Sequence, residues 1–465
     1  MLGKLWNNKQ INKKNMMKPK HLIPLTLLAA LTALGACISP QDEPADCQDC
    51  GQQQIILQVQ ESGGATTRAG RPLYSSEHKQ LVDHVTLVVC YYGNNGDASK
   101  PDNQIAAIKH IDNWMKESTE DPDFGRRCYV SLMGSSRVPE GVAKYKVYAI
   151  GYTHRDNNKT AYTTIPTGET ESKNLETYLK SLQIGQTFPE NLTLGLTDDP
   201  GEEIFAGTNT EASGLIQSNE AGGFTTEVVL HRQVAGVYMY VSDIPYPDQA
   251  RKLRLTAACD NDGLVLGQFD SEIYQNGQGT TAKKVVNGTN AQEGINNASR
   301  ATLCTINLAD WKDNSGNWKN LYDAANKAPH FQEKSYFAGS FVIPFAAPSE
   351  TNAQSLQLEL WGEDTSKGAL QTWSVKLPDG DPQTKEFTLH IWDESTQQFT
   401  TKKVTESPNA FSLLRNHLYC IGTRDADDGT GNDEPLPLSD ANPIILQVVA
   451  EWDHVYDMEL EPEAP

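Results

Sequence analysis

The sequence predicts an all-β protein built from antiparallel sheets, with helix limited to short insertions. From residue 55 onward, apolar and polar residues alternate with a period of two, which is typical of half-buried strands. Runs of β-branched and aromatic residues end at turn-forming clusters, as where residues 85–92 (VTLVVCYY) meet Gly-Asn-Asn-Gly. Helical spacing is clear only within residues 169–182, at Leu175, Leu179 and Leu182.

The N-terminal segment has the pattern of a secretory signal. A basic start at residues 17–21 (MKPKH) is followed by an uncharged, mostly apolar run that ends in small residues at position 36. The run is shorter than the roughly 20 apolar residues that a membrane-spanning helix needs. Because Cys37 directly follows Leu-Gly-Ala, residues 1–36 resemble a bacterial lipoprotein signal peptide. That resemblance implies that Cys37 is acylated, becomes the first mature residue and holds the protein at the outer membrane.

The mature chain predicted in this way is strongly acidic. Residues 1–36 carry six Lys and no acidic residue, so 33 basic and 60 acidic residues remain, a net charge of −27. Such a charge argues against nucleic acid as a partner and favours solubility. Residues 37–54 are polar and predict a flexible, lipid-proximal linker. Seven cysteines remain after Cys37, an odd number, so at least one is expected to carry a free thiol if all pairing is intramolecular.

The 429 residues after position 36 exceed what one compact core usually holds, so two or three domains are expected. The two blocks of strands place two of them at 55–225 and 226–465. The boundary rests on block size. Further strands are expected in both blocks, at residues 104–111, 127–132, 144–152, 226–230, 235–241, 252–258, 335–344, 355–361, 373–377 and 386–392. Residues 276–301 and 310–329 are long polar tracts.

Motifs for catalysis or for cofactor binding are not evident. The ten His are scattered without HxxxH or HExxH spacing, and no Gly-x-Ser-x-Gly elbow occurs. We therefore expect neither an enzyme nor a metal or cofactor site. The oxygen-rich residues 425–434 are interpreted as a solvated loop, because their Gly falls one position early for an EF-hand calcium loop.

Two stretches carry a resemblance to a known family. Residues 203–207 (EIFAG) with 228–237 (VVLHRQVAGV), and residues 414–422 (LRNHLYCIG), resemble the middle and C-terminal parts of the Bacteroidales fimbrillins. The resemblance implies two tandem transthyretin-like β-sandwich domains, export as a lipoprotein and assembly into surface fimbriae that contribute to adhesion to a host or bacterial surface ligand. Arg232 and the triplet Arg415, Asn416 and His417 are expected to satisfy backbone carbonyls at a domain seam.

The C-terminus shows the longest alternation in the chain. Every even position from 444 to 460 is apolar or aromatic except one: Ile444, Leu446, Val448, Ala450, Trp452, His454, Tyr456, Met458 and Leu460. Because an ordinary strand has about 5–6 residues, we expect two uses of this segment. Residues 444–452 would form a strand of the home domain. Residues 455–461, with Val455, Tyr456, Met458 and Leu460, would be a donor strand for a neighbouring subunit. The alternative is one strand kinked across both home domains.

The N-terminal strand predicted at residues 55–60 is the complementary half of such an assembly. It precedes a Gly- and Thr-rich loop that contains Arg68 and Arg71. In the stalk fimbrillins that the chain resembles, an Arg-specific protease cuts in such a loop and the first strand leaves, which opens a groove for the next subunit. Arg68 and Arg71 are therefore the candidate processing sites.

Two other interpretations stay open at the sequence level. The chain is alternatively a fimbrial anchor or tip subunit that keeps its lipid and its first strand. It is otherwise a surface glycan-binding lipoprotein with a β-sandwich fold. Retention on immobilised polysaccharide would favour the second of these, and heat-resistant ladders in mild SDS would favour a fimbria.

Overall fold

The computed structural model describes residues 51–59, 82, 84–112, 127–153, 160–196, 202–209, 215–267, 284–289, 300–321, 331–350, 352–424, 433–439 and 443–449. Within these ranges the protein is almost entirely β, which confirms the predicted fold class. None of the helices found there is long and apolar enough to cross a membrane.

The strands of the first half of the chain are β1 (Gln53–Val59), β2 (His84–Tyr91), β3 (Ile105–Asp112), β4 (Arg127–Ser131), β5 (Lys144–Tyr152), β6 (Tyr162–Thr164), β7 (Lys173–Asn174), β8 (Thr193–Leu196), β9 (Ile204–Thr208), β10 (Ile216–Gln217) and β11 (Phe224–Arg232). Strand β1 begins two residues earlier than the alternation predicts, because the polar side chains of Gln53 and Gln54 are also buried.

The strands of the second half are β12 (Ala235–Ser242), β13 (Lys252–Ala257), β14 (Gly263–Val265), β15 (Lys284–Val286), β16 (Ala301–Asn307), β17 (Tyr336–Val342), β18 (Leu356–Trp361), β19 (Gln371–Lys376), β20 (Phe387–Asp393), β21 (Gln398–Val404), β22 (Leu418–Ile421), β23 (Leu436–Pro437), β24 (Ile444–Ile445) and β25 (Gln447–Val449). Short 3-10 turns occur at Gly134–Ser136, Thr365–Lys367 and Pro382–Thr384.

The predicted helix is real but shorter than its pattern indicates. Helix α1 covers Leu175–Ser181 instead of residues 169–182. The Asn174 side chain accepts a hydrogen bond from the Glu176 amide and so caps the helix at this point. Just before it, β7 pairs with β6, so the backbone there already belongs to a sheet.

The strands form five sheets within the described ranges. The first sheet has the order β3-β2-β5-β9-β11-β1-β4, with β10 beside β5. The others run β17-β12-β22-β25 with β23 beside β12, β16-β13-β18-β19-β24, β14-β8-β6-β7 and β15-β20-β21. Strand β15 lies inside the polar tract predicted at 276–301, where its parallel pairing with β20 compensates for a weak local pattern.

The first sheet folds over itself at β11. Residues 224–230 of β11 pair with β1, whereas His231 and Arg232 pair with β9. As a result, Ile55 and Leu57 of β1 share one core with Leu87 of β2 and Val147 of β5. We call this group of side chains the first core.

The opposite face of the same sheet is also buried. Val88, Cys90 and Tyr148 alternate with the residues of the first core and join a larger core that extends to β12, β13 and β17. The larger core therefore draws side chains from both sides of residue 226. Cys90 and Cys259 are buried free thiols, as the odd cysteine count predicts for at least one residue.

The C-terminal alternation changes sheet partway along. Ile444 and Ile445 pair in parallel with β19, and residues 447–449 pair antiparallel with β22 of another sheet. The single home strand expected at 444–452 is therefore wrong for the part described, 443–449. The burial alternation still holds across the break, because Ile444 and Leu446 are both buried while Ile445 is half exposed.

Candidate functional site

Strand β1 lies inside the first sheet, between two partners that are distant in sequence. It runs parallel to β11, with Gln53 opposite Phe224 and Val59 opposite Leu230. On its other side it is antiparallel to β4, with Gln54 opposite Ser131 and Gln58 opposite Arg127. The first strand of the described chain thus links two strands that have no pairing with each other in the sheet order.

The side chains of β1 complete the first core. Ile55 and Leu57 are fully buried, and their neighbours include Val130 of β4 and Val228 and Leu230 of β11. Burying an Ile or Leu side chain contributes about 1.5–3 kcal/mol. Without β1, this core would open to solvent and the facing backbone groups of β4 and β11 would lose their partners. The slot between β4 and β11, which we call the β1 slot, therefore requires a strand.

The two stretches that carry the family resemblance meet at a buried polar cluster. Arg232, at the end of β11, donates from Nε to Glu203 Oε1 at 2.8 Å, and its Nη2 lies 2.7 Å from the same oxygen. Its Nη1 donates to Asn416 Oδ1 at 3.1 Å. The guanidinium therefore joins residue 203 to residue 416, and both members of the ion pair are almost wholly inaccessible to solvent.

A second set of contacts lies beside this ion pair. The Asn287 side chain donates to the Gln233 carbonyl at 3.2 Å and to the Val265 carbonyl at 3.1 Å. Arg415 Nη1 donates to Gln233 Oε1 at 3.3 Å. Gln233 itself follows β11 and precedes β12, so these bonds hold the point where the chain passes from the first sheet to the next.

The sequence analysis expects Arg232 and residues 415–417 to satisfy backbone carbonyls at this seam. The structure shows such bonds from the backbone and further bonds between side chains. The Asn416 amide donates to the Val234 carbonyl, and the His417 carbonyl accepts from Gly236. His417 Nδ1 lies 2.9 Å from the Arg415 carbonyl, which can only accept, so this nitrogen carries the proton. The two arginine side chains in addition bind side-chain oxygens, those of Glu203 and Gln233.

Burial keeps the histidines of the seam neutral. It lowers the pKa of His231 to about 3, with the nearby Arg415 charge acting in the same direction. It lowers the pKa of His417 to about 4, although the bond to the Arg415 carbonyl opposes the shift. The positive charges of the cluster are therefore those of the arginines.

Arg424 is a buried arginine that the sequence analysis did not identify. The Arg424 guanidinium lies 4.4 Å from the centre of the Phe331 ring and its Nε lies 3.7 Å from Asp433 Oδ2. Phe331 is far from Arg424 in sequence, so no local pattern indicates the contact with the ring. Among the described residues, no group of three or more His, Cys, Asp or Glu could hold a metal ion.

The individually predicted site residues lie outside the described ranges. These are the lipidation site Cys37, the processing sites Arg68 and Arg71, and the donor-strand residues Val455, Tyr456, Met458 and Leu460. The same holds for most of the oxygen-rich segment 425–434, of which Asp433 and Glu434 are described. What the structure shows is the neighbouring geometry, namely the β1 slot and the last described strand, β25, paired with β22.

No protein-family model and no curated protein matches the sequence. Solved structures do match. The fimbrial anchor protein Mfa2 from Porphyromonas gingivalis is 10% identical over 77% of this chain and 100% of its own, with a TM-score of 0.30. The tip fimbrial protein Mfa3 from the same organism, with a C-terminal truncation, is 9% identical over 79% of this chain and 93% of its own, with a TM-score of 0.33.

A fimbrial assembly protein from Parabacteroides distasonis also matches, at 9% identity over 80% of this chain and 91% of its own, with a TM-score of 0.28. At such identities and TM-scores the likeness assigns no activity to this chain. The solved proteins that match include fimbrial proteins, as the resemblance of the motifs predicts, and also a putative adhesin and putative polysaccharide binding proteins from Bacteroides thetaiotaomicron.

Proposed function

We propose that the chain is a structural subunit of surface fimbriae that assembles by β-strand donation between subunits. The observation that carries this proposal is the position of β1 between β11 and β4. A strand at this position fills a slot in a closed core, and it is followed in sequence by Arg68 and Arg71. Cleavage at either arginine would separate β1 from the rest of the chain, so that β1 could be replaced.

The replacing strand has a counterpart at the other end of the sequence. Residues 455–461 alternate Tyr456, Met458 and Leu460 with the acidic Asp457, Glu459 and Glu461. Inserted into a slot of a neighbouring subunit, the apolar set would face the core of that subunit and the acidic set would face water. Residues 447–449 end beside β22 at the edge of their sheet, which leaves this segment a route away from the home domain.

The export route follows from the N-terminal signal. Acylation of Cys37 would hold the precursor at the outer membrane, with the subunit exposed at the cell surface. Cleavage at Arg68 or Arg71 would then release the subunit from its lipid while opening the β1 slot. In this account the lipid retains the precursor, the partners are other fimbrial subunits, and the role is structural and not catalytic.

The test uses the cell-surface protein and three variants. Deletion of residues 455–465 removes the donor, and Arg68→Ala with Arg71→Ala blocks opening of the slot. A matched control replaces Asp457, Glu459 and Glu461 by Asn, Gln and Gln, which changes only the side chains expected to face water. We expect the control to give heat-resistant ladders in mild SDS, and the other two variants to be exported without forming ladders. Ladders that survive the deletion would contradict strand donation.

A further inference from the structure

The side chain at the start of β1 occupies a polar pocket within the slot. Gln53 is 1% exposed. Its Nε2 donates to the Val138 carbonyl at 3.0 Å and to the Gly222 carbonyl at 2.9 Å. Its Oε1 accepts from the Val138 amide at 2.8 Å. The Gln53 carboxamide therefore pairs with the one N–H donor and the two carbonyl acceptors of the pocket.

The pocket is formed by backbone that lies outside β1. Val138 lies between β4 and β5, and Gly222 lies in the turn before β11, where the Gly222 amide donates to the Asn219 carbonyl. Gly222 adopts a φ of +77°, and a Cβ at this position would lie 3.1 Å from Glu140 Cα and 3.3 Å from Gln53 Nε2. A glycine at position 222 leaves room for the Gln53 amide group, and the Gly222 carbonyl accepts a hydrogen bond from that group.

Other side chains do not match this arrangement of one donor and two acceptors. A carboxylate offers no proton to the two carbonyls and would be repelled by them. An apolar side chain would leave the Val138 N–H and C=O and the Gly222 C=O buried without partners, which is costly. The pocket therefore distinguishes strands by a single residue, two positions before the apolar pair Ile55 and Leu57.

We infer that the β1 slot selects its incoming strand through this pocket, and that the strand donated to this subunit carries Gln or Asn there, followed by apolar residues at alternating positions. The inference rests on the proposed function. Residues 450–465 of this chain contain neither Asn nor Gln. The donor for this slot is consequently a strand of a different polypeptide, while residues 455–461 serve another acceptor.

The experiment uses the full chain, nicked by an Arg-specific endoprotease, and fluorescent peptides that compete for the slot. The reference peptide has the sequence of residues 51–60, and variants carry Gln53→Met or Gln53→Glu. The matched control carries Gln52→Met, because Gln52 is exposed beside it. Fluorescence anisotropy measures uptake. We expect the reference and control to enter equally, and the Gln53 variants and a peptide of residues 450–465 to enter at least about tenfold more weakly.

The outcomes distinguish the proposal of strand donation from the proposal that the Gln53 pocket selects the strand. Entry of the Gln53→Met peptide or of the 450–465 peptide as strong as the reference overturns the pocket and leaves strand donation standing. Failure of every peptide to enter overturns both. A second measurement uses the intact chain, in which Gln53→Met should speed hydrogen exchange of the Val138 amide and Gln52→Met should not. Unchanged exchange in the Gln53 variant would also overturn the pocket.

Discussion

The ion pair of Arg232 and Glu203 is the most deeply buried charged contact at the seam between the sheets. Two guanidinium nitrogens lie within 2.8 Å of one carboxylate oxygen, and a third nitrogen binds Asn416. Taking both charges out of water is expensive, so the pair stabilises the fold only while both members are present. Its main effect is to hold residues 203, 232 and 416 in one arrangement.

We therefore predict strong coupling between these two positions. Arg232→Met or Glu203→Met alone should lower the free energy of unfolding by about 3–5 kcal/mol, since each removes one member of a buried ion pair. The double variant Arg232→Met with Glu203→Met should lose less than the two single losses together. Urea unfolding of the four proteins measures the coupling. Strictly additive losses would show that the pair is not an energetic unit.

The neutral histidines of the seam predict a pH dependence of stability. Unfolded histidine titrates near pH 6.5, whereas burial lowers the pKa of His417 to about 4. Between these values the unfolded state binds a proton that the folded state does not, so stability falls as the pH drops from about 7 towards 4. From pH 7 to pH 5 this histidine alone accounts for a loss of about 2 kcal/mol.

The variant His417→Gln isolates this contribution, because an amide can still donate to the Arg415 carbonyl but does not titrate. Burial raises the pKa of Glu406, which acts with the opposite sign, but this residue is present in both proteins and so cancels in the comparison. Urea unfolding at pH 7 and pH 5 should show a smaller loss for the variant, by about 2 kcal/mol. An equal loss in both proteins would contradict the assignment.

At the scale of elements, the close approach of β9 to β11 explains one residue of a stretch that carries the family resemblance. Gly207 in β9 lies so close to β11 that a Cβ would be 1.9 Å from the Val229 carbonyl oxygen. Backbone cannot move aside as a flexible side chain can, so any larger residue must push the strands apart. Strand β11 also forms one wall of the β1 slot, and the slot therefore depends on this contact.

Gly207→Ala should therefore destabilise the protein by more than about 2 kcal/mol and loosen β1. The matched control is Gly195→Ala in β8, where the nearest atom to an added Cβ is the Thr163 hydroxyl oxygen at 3.2 Å. Thermal unfolding followed by circular dichroism compares the two. A melting temperature for the Gly207 variant equal to that of the control would show that the strands can separate at no cost.

How far the elements were predictable depends on where the stabilising contact lies. Strand β5 was predicted with its full bounds because its alternation and flanking turns are local. Strand β15 was missed because parallel pairing with β20, about a hundred residues away, stabilises it. At the C-terminus, alternation indicates which side chains are buried but not which sheet they belong to. The change of pairing partner from β19 to β22 therefore has no counterpart in the sequence pattern. Gln53 was assigned to a linker because a buried amide has no apolar signature.

At the scale of the whole molecule, β1 is the first strand of the described residues and its side chains complete a buried core. The larger core on the opposite face of the first sheet joins side chains from both halves of the chain, so the sheet keeps a packed face if β1 departs. Loss of β1 would expose the first core alone. This difference between the two cores is what the proposed function requires, because the subunit must stay folded after β1 leaves and before a partner strand binds.

Under the proposed function a partner strand replaces β1 in the assembled subunit, and the N-terminus of that subunit records whether β1 has left. Fimbriae are purified from the cell surface, and mass spectrometry determines where each copy of this chain begins. We predict a start directly after Arg68 or Arg71, with residues 53–59 absent. Assembled chains that still begin at an acylated Cys37 and retain β1 would contradict the claim, because the slot would then never have opened.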